Sequence, residues 1–210
     1  MNDFRKEFWE NQKIIDEFSN KKISEYIEVF LKDLFKRESI KNALDIGCGA
    51  GRYSFYLLNQ GINVTAIDRH EKLAFRLKDT KACFIPAEMD KLPLKSDFFD
   101  LVLSIGVLHN ALSVQEFQNS ISEVARVLKT KKIFVCSVFT DDVISKELKK
   151  TDTPFLFLTK DKLPMLLLSK KHINNELQKN KLIKICDLNE HVTNVGTGLR
   201  NVYTFVCQKK

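Results

Sequence analysis

Two carboxylates and a run of glycines are the residues in this chain best suited to hold a ligand. Asp45 opens the stretch Asp45-Ile46-Gly47-Cys48-Gly49-Ala50-Gly51-Arg52, in which three glycines stand at alternate positions. Glycine in such a loop lets a ligand approach the backbone where a Cβ would block it, and it accepts backbone angles with φ > 0. The N–H groups that open a helix beyond the loop attract polar or anionic ligand atoms. The leading acid narrows the choice of ligand, because Asp45 favours a positively charged amino group and repels a pyrophosphate. A dinucleotide fingerprint, G-x-G-x-x-G, would moreover require glycine where Arg52 stands. Asp68 ends the next apolar run, Asn63-Val64-Thr65-Ala66-Ile67, where a carboxylate can accept hydrogen bonds from two ribose hydroxyls.

These residues need a strand, a tight loop and a helix to present them. Ala43, Leu44 and Ile46 are β-prone, and Arg52-Tyr53-Ser54-Phe55-Tyr56-Leu57-Leu58 resumes at helical spacing. Asn59-Gln60-Gly61 stops that helix, with Gly61 at a left-handed cap, and the second strand follows to Asp68. Residues 70–77 predict a short helix, and Lys81-Ala82-Cys83-Phe84-Ile85 a third strand. Residues 101–105, apolar except for Ser104, predict a fourth strand covered on both faces. Residues 114–128 have the helical period, and residues 133–139 predict a fifth buried strand.

Further landmarks follow in order: Glu88-Met89-Asp90-Lys91-Leu92-Pro93-Leu94, Phe98-Phe99-Asp100-Leu101-Val102-Leu103-Ser104, Val107-Leu108-His109 and Val124-Ala125-Arg126-Val127-Leu128-Lys129. With the glycine stretch, they make residues 40–140 resemble the class I S-adenosylmethionine-dependent methyltransferases. The resemblance implies an α/β fold, a Rossmann-like doubly wound seven-stranded sheet with helices on both faces and an antiparallel last strand. It implies S-adenosyl-L-methionine as cofactor, contacted by Asp45, Gly47, Cys48, Gly49, Gly51, Arg52, Asp68, Arg69, Glu88, Met89, Ser104 and Ile105. In such enzymes the positions of Glu88 and Met89 hold adenine through a polar acceptor and an apolar side chain. Glu88 stands where Asp is more frequent and is one methylene longer. Before the fifth strand the family usually has a Pro-Gly-Gly turn, whereas this chain has Thr130-Lys131-Lys132.

The segment after the fourth strand bears on the acceptor. Amino-directed DNA methyltransferases carry an Asn/Asp/Ser-Pro-Pro-aromatic tetrad there, and cytosine-C5 enzymes a Pro-Cys nucleophile. Ser104-Ile105-Gly106-Val107-Leu108-His109 is neither, which argues against DNA as a partner. His109 is the candidate catalytic residue, as a general base or acceptor-orienting donor, or else it only bonds backbone at a strand end. Asp141 and Asp142 either face the acceptor or, the preferred reading, cap a following helix. The acceptor is expected between His109, Asp141 and the loop around Arg200, and to be a small molecule. RNA, above all tRNA, is the alternative acceptor, favoured by a net charge of +7 and a pI near 9.1. A non-catalytic, cofactor-binding regulatory protein is the alternative from another class.

A length of 210 residues suits one α/β domain. The expected division is an N-terminal helical segment, 1–38, and a methyltransferase domain, 39–210. Apolar residues recur at helical steps from 4 to 35, predicting two helices with a break near Ser19-Asn20. Trp9 and Phe18 in this segment are candidate lid residues over the cofactor, or else core packing. Beyond the fifth strand the likeness loosens toward the small tellurite-resistance methyltransferases. There Thr159 is expected to N-cap a helix running to Leu168, and 183–195 and 199–207 to form a hairpin about Gly196-Thr197-Gly198. Five cysteines without a C-x-x-C pair predict no metal site and no disulfide framework, with Cys83, Cys136 and Cys207 as buried hydrophobes. The charged opening, Met1 to Glu7, lacks an apolar leader core, and no run is long enough to span a membrane. A cytoplasmic protein is expected, its oligomeric state open.

Overall fold

Strand and helix alternate through most of the chain because its apolar runs are short and punctuated by glycine and polar caps. The computed structural model describes residues 4–210, with side chains from residue 7 onward; the opening Met1-Asn2-Asp3 lies outside the described residues. The order is α1 (Phe4–Trp9), α2 (Gln12–Ser19), α3 (Glu25–Arg37), β1 (Asn42–Ile46), α4 (Arg52–Asn59), β2 (Asn63–Asp68), β3 (Cys83–Pro86) and β4 (Phe99–Ile105). Then come α5 (Val114–Val127), β5 (Leu128–Thr140), β6 (Lys149–Lys150), β7 (Leu156–Leu158), β8 (Pro164–Leu166), α6 (Lys170–Lys179), β9 (Leu182–Asn194) and β10 (Leu199–Lys209). The leading segment is three helices rather than two. The extra break falls at Asn11, whose side chain accepts from the Lys13 N–H and so starts a new helix.

The main sheet has seven strands in the order β3-β2-β1-β4-β5-β10-β9. β1 to β5 pair in parallel, and β10 runs antiparallel between β5 and β9. The period-2 alternation of the strands feeds two cores. Leu44, Ile46, Val102, Phe134 and Phe205 meet α5 and α6 on one face, through Phe117, Ile121, Val124, Ile173 and Leu177. Ala43, Leu101, Leu103, Ile133 and Val135 meet α3 and α4 on the other, through Ile27, Leu31, Leu34, Tyr53 and Leu57. Each such large apolar side chain contributes about 1.5–3 kcal/mol on burial. α3 is thus part of the core, whereas α1 and α2 lie outside it.

Local departures from the sequence reading have physical causes. Residues 159–168 form a turn and strand β8 instead of a helix. The Leu163 N–H donates to the Thr159 hydroxyl and the Thr159 N–H to the Leu163 carbonyl, closing the turn, and Pro164 enters at the first residue of a strand, where its missing N–H costs little. β8 completes a small sheet, β6-β7-β8. Asp142 caps no helix, since none follows it before Lys170; its carboxylate accepts instead from the Thr140 hydroxyl at 2.6 Å and the Asn201 amide at 3.3 Å. Cys136 and Cys207 are buried, but Cys83, on the short edge strand β3, is exposed. At the missing Pro-Gly-Gly turn, Lys131 takes φ 63, a left-handed conformation that glycine would adopt without strain. The helix expected at 70–77 is a 3-10 turn over Leu73–Leu77.

Candidate functional site

The chain leaves β1 outward through β2 and β3, then returns to β4 on the other side of β1. Where the order reverses, neighbouring connections diverge and leave a crevice at the strands' carboxyl ends. The glycine loop enters it from β1. Gly47 is fixed by close approach, for a Cβ there would lie 2.3 Å from a Val107 methyl. Gly51, at φ 86, is the N-cap of α4, and a Cβ on it would press Leu77 and Phe55. Gly49 lines the cleft with nothing within 4 Å of where a side chain would begin.

Asp45 is buried, and the Ser54 hydroxyl donates to its Oδ2 at 2.6 Å. Burial raises its carboxyl to about 6, against the lowering pull of Ser54 and Arg52. Asp68 is held by two backbone donors, Gly49 N–H on Oδ2 at 3.0 Å and His70 N–H on Oδ1 at 2.8 Å. Burial raises Asp68 too, and these bonds oppose the rise. One carboxylate therefore ties the glycine loop to the end of β2. Arg69 and Glu88, after β2 and β3, pair at 2.8 Å on the rim. The loop that carries Met89 is clamped to α5, where Glu123 accepts the Leu92 N–H and Arg126 donates to the Leu92 and Leu94 carbonyls.

Asp45, Gly47, Cys48, Gly49, Arg52, Asp68, Arg69, Glu88, Met89 and Ile105 all line the cleft. Gly51 and Ser104 do not: Gly51 packs behind the loop, and Ser104 is wholly buried with its hydroxyl unpartnered. Trp9 and Phe18 reach the cleft from α1 and α2, with rings edge-on at 5.4 Å. Their segment is tied to the body by Glu10 to Lys72 at 3.2 Å and by Arg76 donating to the Ser19 carbonyl at 2.9 Å.

The acceptor enclosure read from sequence does not form. His109 is buried away from the cleft and stacks on Phe139 at 3.9 Å, and its Nδ1 accepts the Phe139 N–H at 3.2 Å. Burial, then the Arg200 charge, pushes its imidazole down to about 3, so it stays neutral. Arg200 is fully buried and donates to the Leu199 and Thr197 carbonyls and the Met165 sulfur. Asp141 does not line the cleft either. The residues missed include His70, Val107, Asn110, Leu163 and Pro164, all of which line it. Asn110 stands beside His109 in sequence, but only the 3-10 turn Leu108–Asn110 decides which of the two faces inward. Leu163 and Pro164 were hidden by the helical reading of their segment.

Residues 44–136 match the methyltransferase-domain family model. Over that stretch the chain is similar to methyltransferase domains. An uncharacterised protein of Methanocaldococcus jannaschii is 34% identical to it over 139 residues, 65% of this chain and 57% of the relative. A ubiquinone biosynthesis O-methyltransferase of Rickettsia typhi is 26% identical over 137 residues, 58% of this chain and 54% of the relative. The match thus spans a little over half the length of these curated relatives. A solved S-adenosylmethionine-dependent methyltransferase of Methanosarcina mazei has the same fold, with a TM-score of 0.74 over 90% of this chain and 99% of that one at 19% identity. The cleft fits S-adenosyl-L-methionine. Gly49 leaves open the space a side chain would fill, and Asp45 is a buried carboxylate at the edge of that space, with the Ser54 hydroxyl on its Oδ2.

Proposed function

We propose that the protein transfers the sulfonium methyl of S-adenosyl-L-methionine to a small-molecule acceptor by in-line displacement. The observation that carries this reading is the pair of buried acids joined by one glycine loop, Asp45 at its start and Asp68 bound to Gly49 N–H. Asp45 would take the amino group, Asp68 the ribose hydroxyls, and Met89 the adenine face, while Glu88 shares its carboxylate with Arg69. The cofactor supplies a methyl group already activated on positively charged sulfur. What remains for the chain is to position the reactants and exclude water, worth up to ~7–11 kcal/mol in well-oriented cases. Trp9 and Phe18 serve exclusion, closing the cleft from the side of α1 and α2. The likeness to a ubiquinone biosynthesis O-methyltransferase supports a small acceptor.

The test is to supply methyl-labelled S-adenosylmethionine to a cell extract with the purified protein. Label is expected in the low-molecular-weight fraction. An RNA acceptor would hold through lysine–phosphate contacts and lose roughly 0.7 log units of affinity per log salt for each single-strand phosphate neutralised. Ribonuclease-sensitive label suppressed by salt would overturn the small-molecule assignment. Cofactor binding without transfer to any fraction would favour a regulatory role.

A further inference from the structure

A surplus of positive charge stands at the end of the sheet away from the cleft. β1, β4, β5 and β9 start at that end, and β10 finishes there. Contacts join the segments into one face. Lys132 pairs with Glu38 at 3.0 Å, the Gln208 amide donates to the Lys131 carbonyl at 3.0 Å, Lys209 pairs with Asp97 at 2.7 Å, and the Lys210 N–H donates to the Lys181 carbonyl at 2.9 Å. Asp100, which accepts the Lys41 N–H, pairs with Lys129 at 2.8 Å. Glu38, Asp97 and Asp100, the acids of these segments, thus each have a lysine. Lys41, Lys95, Lys131, Lys181 and Lys210 are left over, all exposed and none in an ion pair among the described residues. Phe98 stands among them, 43% exposed, as the one exposed large apolar side chain of the segments.

We infer that this face holds a single strand of nucleic acid by its phosphates, with Phe98 stacked on a base. The inference stands apart from the methyl-transfer reading. β1, five residues long, sets the face about 15 Å from the glycine loop, so the strand is anchored there and not methylated. Charge and apolar content select this partner. A stable protein interface has an apolar core with aromatic anchors, and a membrane-surface helix immerses a row of apolar side chains beside its lysines. One phenylalanine supplies neither. A phosphate backbone needs no apolar core, because cations without partners gain affinity by releasing its condensed counterions. Lysines spread over five segments meet a repeated charge, and contacts of that kind hold the backbone without reading sequence. The aromatic ring favours a single strand, whose bases are free to stack on it.

The probe is a fluorescein-labelled oligouridylate of about twenty nucleotides, followed by anisotropy. Its affinity is expected to fall about a hundredfold between 50 and 200 mM salt, as neutralising about five phosphates requires. Lys41→Gln with Lys131→Asn, asparagine being suited to the left-handed φ 63 at that position, should lower the slope by about 1.4 log units per log salt. Lys149→Gln with Lys150→Gln removes the same charge from β6 of the small sheet and should leave binding unchanged. Phe98→Ala should weaken the single strand about tenfold with the slope kept, and leave a duplex of the same length unaffected. Affinity for S-adenosylhomocysteine should be the same in every variant, and no methyl label should enter the oligonucleotide. Binding that ignores salt, an equal loss in the β6 pair, or a duplex bound as tightly and as sensitive to Phe98→Ala would overturn the inference. So would tighter binding of phosphatidylglycerol vesicles or polyglutamate than of oligouridylate, which would assign the face to a membrane or an acidic protein. Label in the oligonucleotide would overturn the anchoring role, and the small-molecule acceptor with it.

Discussion

Asp45 carries a charge where charge is expensive. Its carboxyl sits near 6 because burial disfavours the ionised form, so ionisation in the free fold costs about 3 kcal/mol relative to an exposed aspartate. With the folded value above the unfolded one, the free protein loses this much stability as pH rises from about 4 to about 6. A cationic amino group at Asp45 would recover it. Below pH 6 a proton occupies the carboxylate and must leave before the amino group can pair. Calorimetric affinity for S-adenosylhomocysteine should therefore weaken about tenfold between pH 8 and pH 5, and Asp45→Asn should flatten that profile at the weaker level. A wild-type affinity that does not change over this range would remove Asp45 from the amino site. Asp68 is less cleanly tested, because Asp68→Ala also strips the acceptors of Gly49 and His70 and loosens the loop. Asp68→Asn keeps one acceptor oxygen and is the better comparison, with a loss of roughly 1.5–3 kcal/mol for each charged bond removed.

At the scale of elements, what was legible depended on whether local pattern and tertiary contact agreed. The β1-loop-α4 unit was readable because its glycines meet local demands, such as the left-handed cap at Gly51, and its strand is buried on both faces. β4 was readable for the same reason, as six of its seven residues are buried. The 141–168 segment was not, because Thr159, Leu163 and Leu166 fit helical spacing, while the hairpin depends on pairing of Phe157 with Met165 across a turn where Lys162 takes φ 59. His109 was over-read, since nothing in Val107-Leu108-His109 tells which side of the turn its ring takes. The leading helices raise a question of motion. α2 buries only Ile15, and it is held to the body by single polar ties such as Arg76 to Ser19, each worth about 0–1 kcal/mol at a surface. Such an element can open and close on a cofactor, as lids do. Trp9, the only tryptophan, should report closure through a fluorescence change on adding S-adenosylhomocysteine. Arg76→Ala should speed cofactor release without changing the melting temperature by more than a degree or two. An unresponsive Trp9, with affinity intact after removal of residues 1–20, would make the segment mere packing.

For the whole molecule, the sheet separates where stability is generated from where ligand is held. The cleft hangs on the carboxyl ends of β1, β2 and β4, whereas β9 and β10 join at the opposite edge beyond β5. Phe205 lies at the centre of that far half, fully buried, with its ring edge-on to Phe134 at 6.5 Å and tilted to Tyr203 at 5.0 Å. Phe205→Ala removes a ring from a packed core and should cost about 3–5 kcal/mol, a large share of the 5–15 kcal/mol typical of a domain. Phe205→Leu, which keeps most of the volume, should cost less than about 1.5 kcal/mol and serves if the alanine variant does not fold. In both, the urea midpoint should fall with the slope unchanged, while the affinity of the folded fraction for S-adenosylhomocysteine stays within about twofold. Ligand at a hundred times its dissociation constant should add about 2.7 kcal/mol to wild type and variant alike, because mass action depends only on affinity for the folded state. A variant that gains much less than wild type would mean that β10 packing reaches the glycine loop. The two halves would then be one cooperative unit in binding as well as in folding.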